Sequence, residues 1–437
     1  MRSRLMIIGA VTAAVLFFVL LFMNLIPGLR VKESAQPQAT LTVWGVFDTQ
    51  GTWNDLLNKY NSYRPNVRAS YRELNPQTYE AELLNALAAG KGPDIFMFHN
   101  TWLPKHLDKI APLPELQFPF IKYREIFPQV AEQDFAPNGT VYASPLYLDT
   151  LAMFYNKDLF DKAGIALLPK TWSDFQTAVK KLTEVNPNTN VITRSGAAIG
   201  GSEKSINRAT DLLGLLMLQS GAKMVDSDFG RATFGASLSD KKPGLSSLTF
   251  YTQFANPASP YYTWNEDLHY SVDNFTEGGT AILFNYSHQT SVIKSKNPFL
   301  NFGIAETPQL AESDQPVAYA NYWGLAVSNK SKAQDWAWDF IIYATTNEEA
   351  AKTYADATQK SPALKSLIAK NINDPTMSVF AKQALIARSW PQVDNNEVER
   401  SFSEMIQAVL SRRLSPEDAL RKSEDEITHL MELKARK

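Results

Sequence analysis

The regular exchange of short apolar runs and helical patterns from Leu41 to Trp102 constrains this chain more than any other feature. Leu41–Phe47 (LTVWGVF) is an apolar run of strand length. In Thr52–Tyr63, Trp53, Leu56, Leu57 and Tyr60 recur at helical spacing, and Pro65 closes the pattern. Val67–Leu74 is extended again. Thr78–Ala89 places Tyr79, Leu83, Leu84 and Leu87 on one helical face and stops at Gly90. A Lys91-Gly92-Pro93 turn then leads into Asp94–Phe98. Strand, helix, strand, helix, strand in this order predicts a parallel α/β sheet. Ligands of such sheets bind beyond the carboxyl ends of the strands. Asp48–Gln50 and His99–Trp102 both lie at such ends.

Composition narrows the partners. A chain of 437 residues is expected to form two or three domains. The formal net charge of -2, with no block of like charges, argues against a nucleic-acid partner. The absence of cysteine excludes a disulfide framework, a thiolate nucleophile and a zinc–thiolate site. The five histidines show no HExxH or similar metal spacing. No cofactor is expected. Asp226 and Asp228 look like a fragment of a calcium loop, but the other ligands are missing and a hairpin turn is the better reading.

Leu5–Ile26 carries no charge and is about 33 Å long as a helix, enough to cross a hydrocarbon core of about 30 Å. It is read as an uncleaved transmembrane signal anchor over 5–26, after a cytoplasmic start at 1–4 and before a polar tether at 27–40. A cleaved signal peptide is the alternative, although its apolar core is usually shorter and no clean A-x-A site follows. The expected location is the plasma membrane, single-pass, with the bulk of the chain extracytoplasmic.

Tyr142–Trp172 reads as a passage between two folded halves. Pro145 and Leu146–Asp149 form a crossing, Leu151–Tyr155 is an apolar strand, and Asn156-Lys157-Asp158 is turn chemistry. Thr171, with Asp174 three residues on, predicts a capped helix start. Downstream, Asp211–Gln219 is an apolar helix and Thr280–Asn285 a strand. Asn301–Glu306 and Tyr322–Val327 are the last short strands, and the remainder is helical.

Several segments in this order resemble the extracellular solute-binding protein family that feeds ABC importers, in its sugar-binding branch. They are LTVW, AAGKGPDIFMF, YNKDLFDKAGI followed by PKTW, NFTEGGTAILFN, GLAVSNKSKAQDWAWDFI and SRRLSPEDAL. The resemblance spans about Leu41 to Thr428. It implies a periplasmic-binding-protein-like fold: two α/β lobes around a ligand cleft, joined by crossings near Ser144–Asp149, Phe284–His288 and Ala318–Gly324. Lobe one is expected over 41–145 plus 287–318. Lobe two is expected over 146–286 plus 319–437, with the helical tail.

A sugar site needs aromatic platforms together with side chains that accept and donate hydrogen bonds in pairs. On that basis the expected ligand contacts are Asp48, Asn100, Trp102, Tyr147, Asp149, Trp264, Asn285, Tyr286 and Trp323. His99, His288, Trp390, Tyr261 and Tyr262 are further candidates. The family often has Trp where this chain has Tyr286 and His288, which sets its cargo apart from a maltose-like one. The expected function is capture of a carbohydrate and its delivery to ABC importer permease subunits by a monomer that is not an enzyme. The alternatives are a sensing module for a separate membrane partner, or a carbohydrate-active enzyme using Asp48 and Asp149.

Overall fold

The computed structural model describes residues 39–435 apart from 190 and 312–314. The expected anchor at 5–26 lies outside the described residues, as does the tether up to its last two positions. Ala39 and Thr40 already belong to the first strand. Among the described residues, no helix is long and apolar enough to cross a membrane.

Strand β1 (Ala39–Gly45) pairs in parallel with β2 (Val67–Glu73) on one side and with β3 (Ile95–His99) on the other. Helices α1 (Gln50–Tyr63) and α2 (Tyr79–Ala88) make the crossovers. The hydroxyl of Thr49 accepts from the Thr52 amide and starts α1, whose Trp53, Leu56, Leu57 and Tyr60 are all buried. The expected α/β unit is therefore present. Distant segments complete its sheet. Trp323–Ser328 runs antiparallel to β3, and Ile110–Ala111 and Ser144–Pro145 pair with that strand in turn. Gly324 is required there, because a Cβ would stand 2.5 Å from the Ser144 carbonyl oxygen.

The second sheet has Ala152–Asn156 between Phe302–Ala305 and Ile282–Asn285, antiparallel to both. The helix Trp172–Leu182 packs beside it and opens with the expected box: Thr171 accepts from the Asp174 amide while Asp174 accepts from the Thr171 amide. The helix Ala209–Gln219 is apolar on nearly every side and correspondingly buried. Asp226 closes a turn by accepting from the Gly230 and Arg231 amides, under the antiparallel bridge Val225–Ala232.

Two separate apolar cores define two lobes, as expected for a chain too long for one. Leu148 is in the first core and Leu151 in the second, so the crossing falls at the end of the stretch read from sequence. Tyr319 is in the second core and Ala320 in the first, which makes another crossing. The chain returns to lobe two between Ile368 of the first core and Trp390 of the second, and the helix Ser378–Leu385 on the way gives Phe380 to the second core and Ala381 and Ala384 to the first.

These placements correct the expected division of the chain. Residues 287–318 belong with lobe two, because Phe302–Ala305 extends its sheet and Ile293 packs in its core. The stretch from Ala320 to Ile368 belongs with lobe one, because Trp323–Ser328 is central to that sheet and Trp338, Phe340 and Ile341 cover it. The segment Phe284–His288 does not cross, since Phe284, Tyr286 and Ile293 all lie in the second core. A sequence pattern gives strands but not their sheet partners, so long-range pairing decided each allocation.

Candidate ligand-binding cleft

A cavity of about 270 Å³ lies between the lobes. From lobe one it takes the carboxyl end of β3 and the turn after β1. From lobe two it takes the loop before the helix Ala209–Gln219 and the start of the helix Asn395–Leu410. On the lobe-one side the cavity thus lies beyond strand ends, the place where ligands of parallel sheets bind.

The lobe-one wall is aromatic. Trp102 and Trp323 meet edge to face at 5.0 Å between ring centroids. Phe47 packs on Trp323 at 5.8 Å, and Tyr79 stacks on Trp102 at 5.9 Å. Phe47 is 56% exposed and holds a left-handed φ of 68°. That conformation costs a side-chain-bearing residue roughly 1 kcal/mol, and here it presents an aromatic face to the opening. His99 bonds Thr101 Oγ1 at 2.7 Å through Nδ1 and Asn321 Oδ1 at 3.1 Å through Nε2. Burial pushes its pKa down to about 4 against the opposing pull of Asn321, so at neutral pH the ring is an uncharged hydrogen-bonding group. Burial disfavours the Glu80 anion, yet His106 and Lys105 outweigh it and hold its carboxyl at about 2.

The lobe-two wall is charged. Arg208 also has a left-handed φ, 66°, and immediately precedes the helix whose first turn carries Asp211. Its guanidinium lies 3.9 Å from Asp211 and 5.2 Å from the Tyr286 ring centroid, and its Nε has no hydrogen-bond partner among the described residues. Asp211 accepts from the Tyr286 hydroxyl at 2.8 Å. Glu203 accepts from the Thr210 amide at 3.1 Å. Burial, reinforced by Glu399, raises the Glu203 carboxyl to about 7. Burial and Asp211 likewise raise Glu399. Trp390, Gln392, Asn395 and Asn396 complete this side.

Of the expected contacts, Asn100, Trp102 and Trp323 line the cavity, together with His99 and Trp390. Asn100 is already engaged, donating to Asp134 and accepting from the Tyr322 amide. The other six are elsewhere, each held by the protein itself. Asp48 accepts from Tyr354 and Lys360 within lobe one. Tyr147 lies under Lys360, its ring centroid 4.5 Å from Nζ. Asp149 accepts from the amide and hydroxyl of Ser287 and from the Thr150 amide. Trp264 is a fully buried core residue whose Nε1 donates to Ser205. Asn285 donates to Asn207 and accepts from the Tyr286 amide. Tyr286 sits one layer back and orients Asp211. The pair Asp48 and Asp149, offered as enzymatic carboxylates, therefore does not face the cavity. His288, Tyr261 and Tyr262 are outside it as well.

The reading from sequence missed Phe47, Glu203, Arg208, Asp211, Asn321, Gln392, Asn395, Asn396 and Glu399. One signal was present: the polar loop GGSEKSINRATD directly before an all-apolar helix marks a helix N-terminus at a surface. Nothing in it told which wall that surface forms.

Two α/β lobes that share several crossings and enclose an aromatic-and-polar cavity define a two-lobed receptor for small solutes. The chain matches the family of bacterial extracellular solute-binding proteins over residues 47–351 and belongs to it. It is 23% identical over 354 residues to a maltotriose-binding protein of Pyrococcus abyssi, covering 78% of this chain and 70% of that one. It is 23% identical over 290 residues to a galactooligosaccharide-binding protein of Bacillus subtilis, covering 64% and 63%. Among solved structures, it shares its fold with the sugar-binding protein MalE of Xanthomonas citri, with a TM-score of 0.74 and 19% identity over 91% of this chain and 98% of that one. It also shares it with an ABC transporter solute-binding protein of Thermotoga lettingae bound with α-D-tagatose, with a TM-score of 0.69 and 22% identity over 90% and 100%.

Proposed function

We propose that this chain is a membrane-tethered extracytoplasmic receptor that captures a sugar or oligosaccharide by lobe closure and delivers it to the permease subunits of an ABC importer. The observation that carries this reading is the division of the cavity. The Phe47, Trp102 and Trp323 wall offers aromatic faces, and the facing wall offers Arg208, Asp211, Glu203 and Asn395. A pyranose has an apolar face for the first and hydroxyl edges for the second. The carbohydrate-binding relatives support the same class of solute. Trp102, Trp323, Arg208 and Asp211 are the contacts assigned to it, and binding by them breaks no bond. The uncharged run Leu5–Ile26 supports the tether.

A thermal-shift panel of mono- and oligosaccharides tests the solute class. At least one is expected to raise the melting temperature, because a ligand that binds only the folded form stabilises it. No shift and no binding heat across a broad panel would remove the carbohydrate assignment. The intact mass of the protein from its native membrane tests the tether: a mass that retains 1–38 is expected, and a shortened chain in the soluble fraction would overturn it.

A further inference from the structure

We propose that Lys105 and Asp394 form a clasp between the two lobes beside the cleft, setting its open–closed balance as positioning residues that do not touch solute. Lys105 lies in the short helix Leu103–His106 of lobe one, and Asp394 caps the helix Asn395–Leu410 of lobe two. Lys105 Nζ is 2.8 Å from Asp394 Oδ2. Neither residue lines the cavity, but each adjoins one that does. Trp102, one helical turn before Lys105, donates through Nε1 to Oδ1 of Asn395, the residue after Asp394, at 3.1 Å. Lys434, in the last helix of lobe two, donates to the Lys105 carbonyl at 2.5 Å. These bonds join the two lobes beside the cavity.

The pair is built to open as well as to close. Lys105 Nζ also lies 2.6 Å from Glu80 Oε1, and Glu80 is within lobe one. Asp394 Oδ1 accepts from the Asn396 and Glu397 amides of its own helix. When the lobes part, each charge therefore keeps a partner. The penalty for stranding a buried charge, which makes most broken buried pairs costly, does not arise. The two side chains are 21% and 26% exposed. A pair at that depth contributes a modest, salt-sensitive amount: enough to bias an equilibrium and too little to lock it.

This inference concerns lobe motion, so it is tested without knowing the solute. The chain has no cysteine. Leu116→Cys on lobe one and Phe299→Cys on lobe two, at nearly fully exposed positions, would therefore carry the only two spin labels. Pulsed dipolar distances are measured on the ligand-free full chain at low and high salt. Lys105→Met and Asp394→Asn are each expected to shift the closed-to-open ratio about two- to five-fold toward open. Asn preserves the helix cap, Lys105→Arg restores the balance, the double variant is no more open than either single one, and high salt erases the differences. Asp394→Asn leaves the melting temperature at the wild-type value, and Lys105→Met, which also removes a lobe-one partner of Glu80, lowers it slightly. Identical distance distributions in all variants, additive effects in the double variant, or a lowered melting temperature with unchanged distances would each overturn the clasp. A failed carbohydrate panel would not, since none of these readouts involves a sugar.

Discussion

Asp149 and Asp211 both lie beside the segment Phe284–Ser287, yet their surroundings differ in kind. Asp149, at the crossing between lobes, is saturated: Ser287 donates twice and Thr150 once. Burial pushes its carboxyl up to about 6 while those donors pull it back. Asp211, at the cleft, accepts from Tyr286 and faces Arg208 at 3.9 Å, and its side chain is 18% exposed to the cavity. The same residue type braces a hinge in one place and, holding Tyr286 and Asn321, stays partly open to the cavity in the other. A polar residue near a crossing is a ligand contact only when the protein has not already used its hydrogen-bonding capacity.

That contrast can be broken experimentally, starting with the largest effect. Asp149→Ala strands the Ser287 amide and hydroxyl and the Thr150 amide in a buried site. It is expected to lower stability by about 3 kcal/mol in denaturant titrations; a loss below ~1 kcal/mol would show that the crossing does not depend on it. Trp264→Phe removes a fully buried indole and its bond to Ser205. A cost of about 2 kcal/mol in stability, with carbohydrate affinity unchanged, is expected. Altered affinity would return Trp264 to the site. Trp323→Ala should instead change affinity, because this side chain is only partly buried and faces the cavity. Calorimetry on a bound sugar should show affinity falling about ten-fold, alongside a lowered melting temperature, because Trp323 also packs against Phe47, Tyr79, His99 and Trp102.

The last effect is a pH slope. The Glu203 carboxyl is raised from 4.5 to about 7, chiefly by burial. Between those values the folded protein keeps a proton that the unfolded chain has released. The contribution of Glu203 to stability is thus fully present below pH 4.5 and is lost as pH rises toward 7. Glu203→Gln should flatten the decline in denaturant-measured stability across that window. Parallel curves for wild type and variant would mean that solvent in the cleft screens this carboxylate.

Much of the architecture was legible before any coordinates. Apolar periodicity marked β1, α1, β2, α2 and β3, and Thr171 with Asp174 marked a capped helix, because those patterns depend on neighbours a few residues apart. The crossing after Pro145 and the relation to solute-binding proteins were legible for the same reason. Among the cavity-lining residues, Asn100 and Trp102 were found through their place after β3, and Trp323 through its place at an expected crossing. Asp48, Tyr147, Trp264 and Asn285 were not distinguishable from cavity-lining residues, because what keeps them out of the cavity is a partner far along the chain: Lys360, Ser205 or Asn207.

Local sequence therefore determined the elements, the two-lobed class and the aromatic side of the cleft. Tertiary structure alone decided which strands share a sheet, moving 287–318 to lobe two and Ala320–Ile368 to lobe one. It also brought Arg208 and Asp211 to face Trp102 and Trp323. The physical reason is common to both outcomes. These particular strand pairings and this cavity lining are contacts between residues separated by a hundred positions or more, and no spacing rule within one segment encodes them.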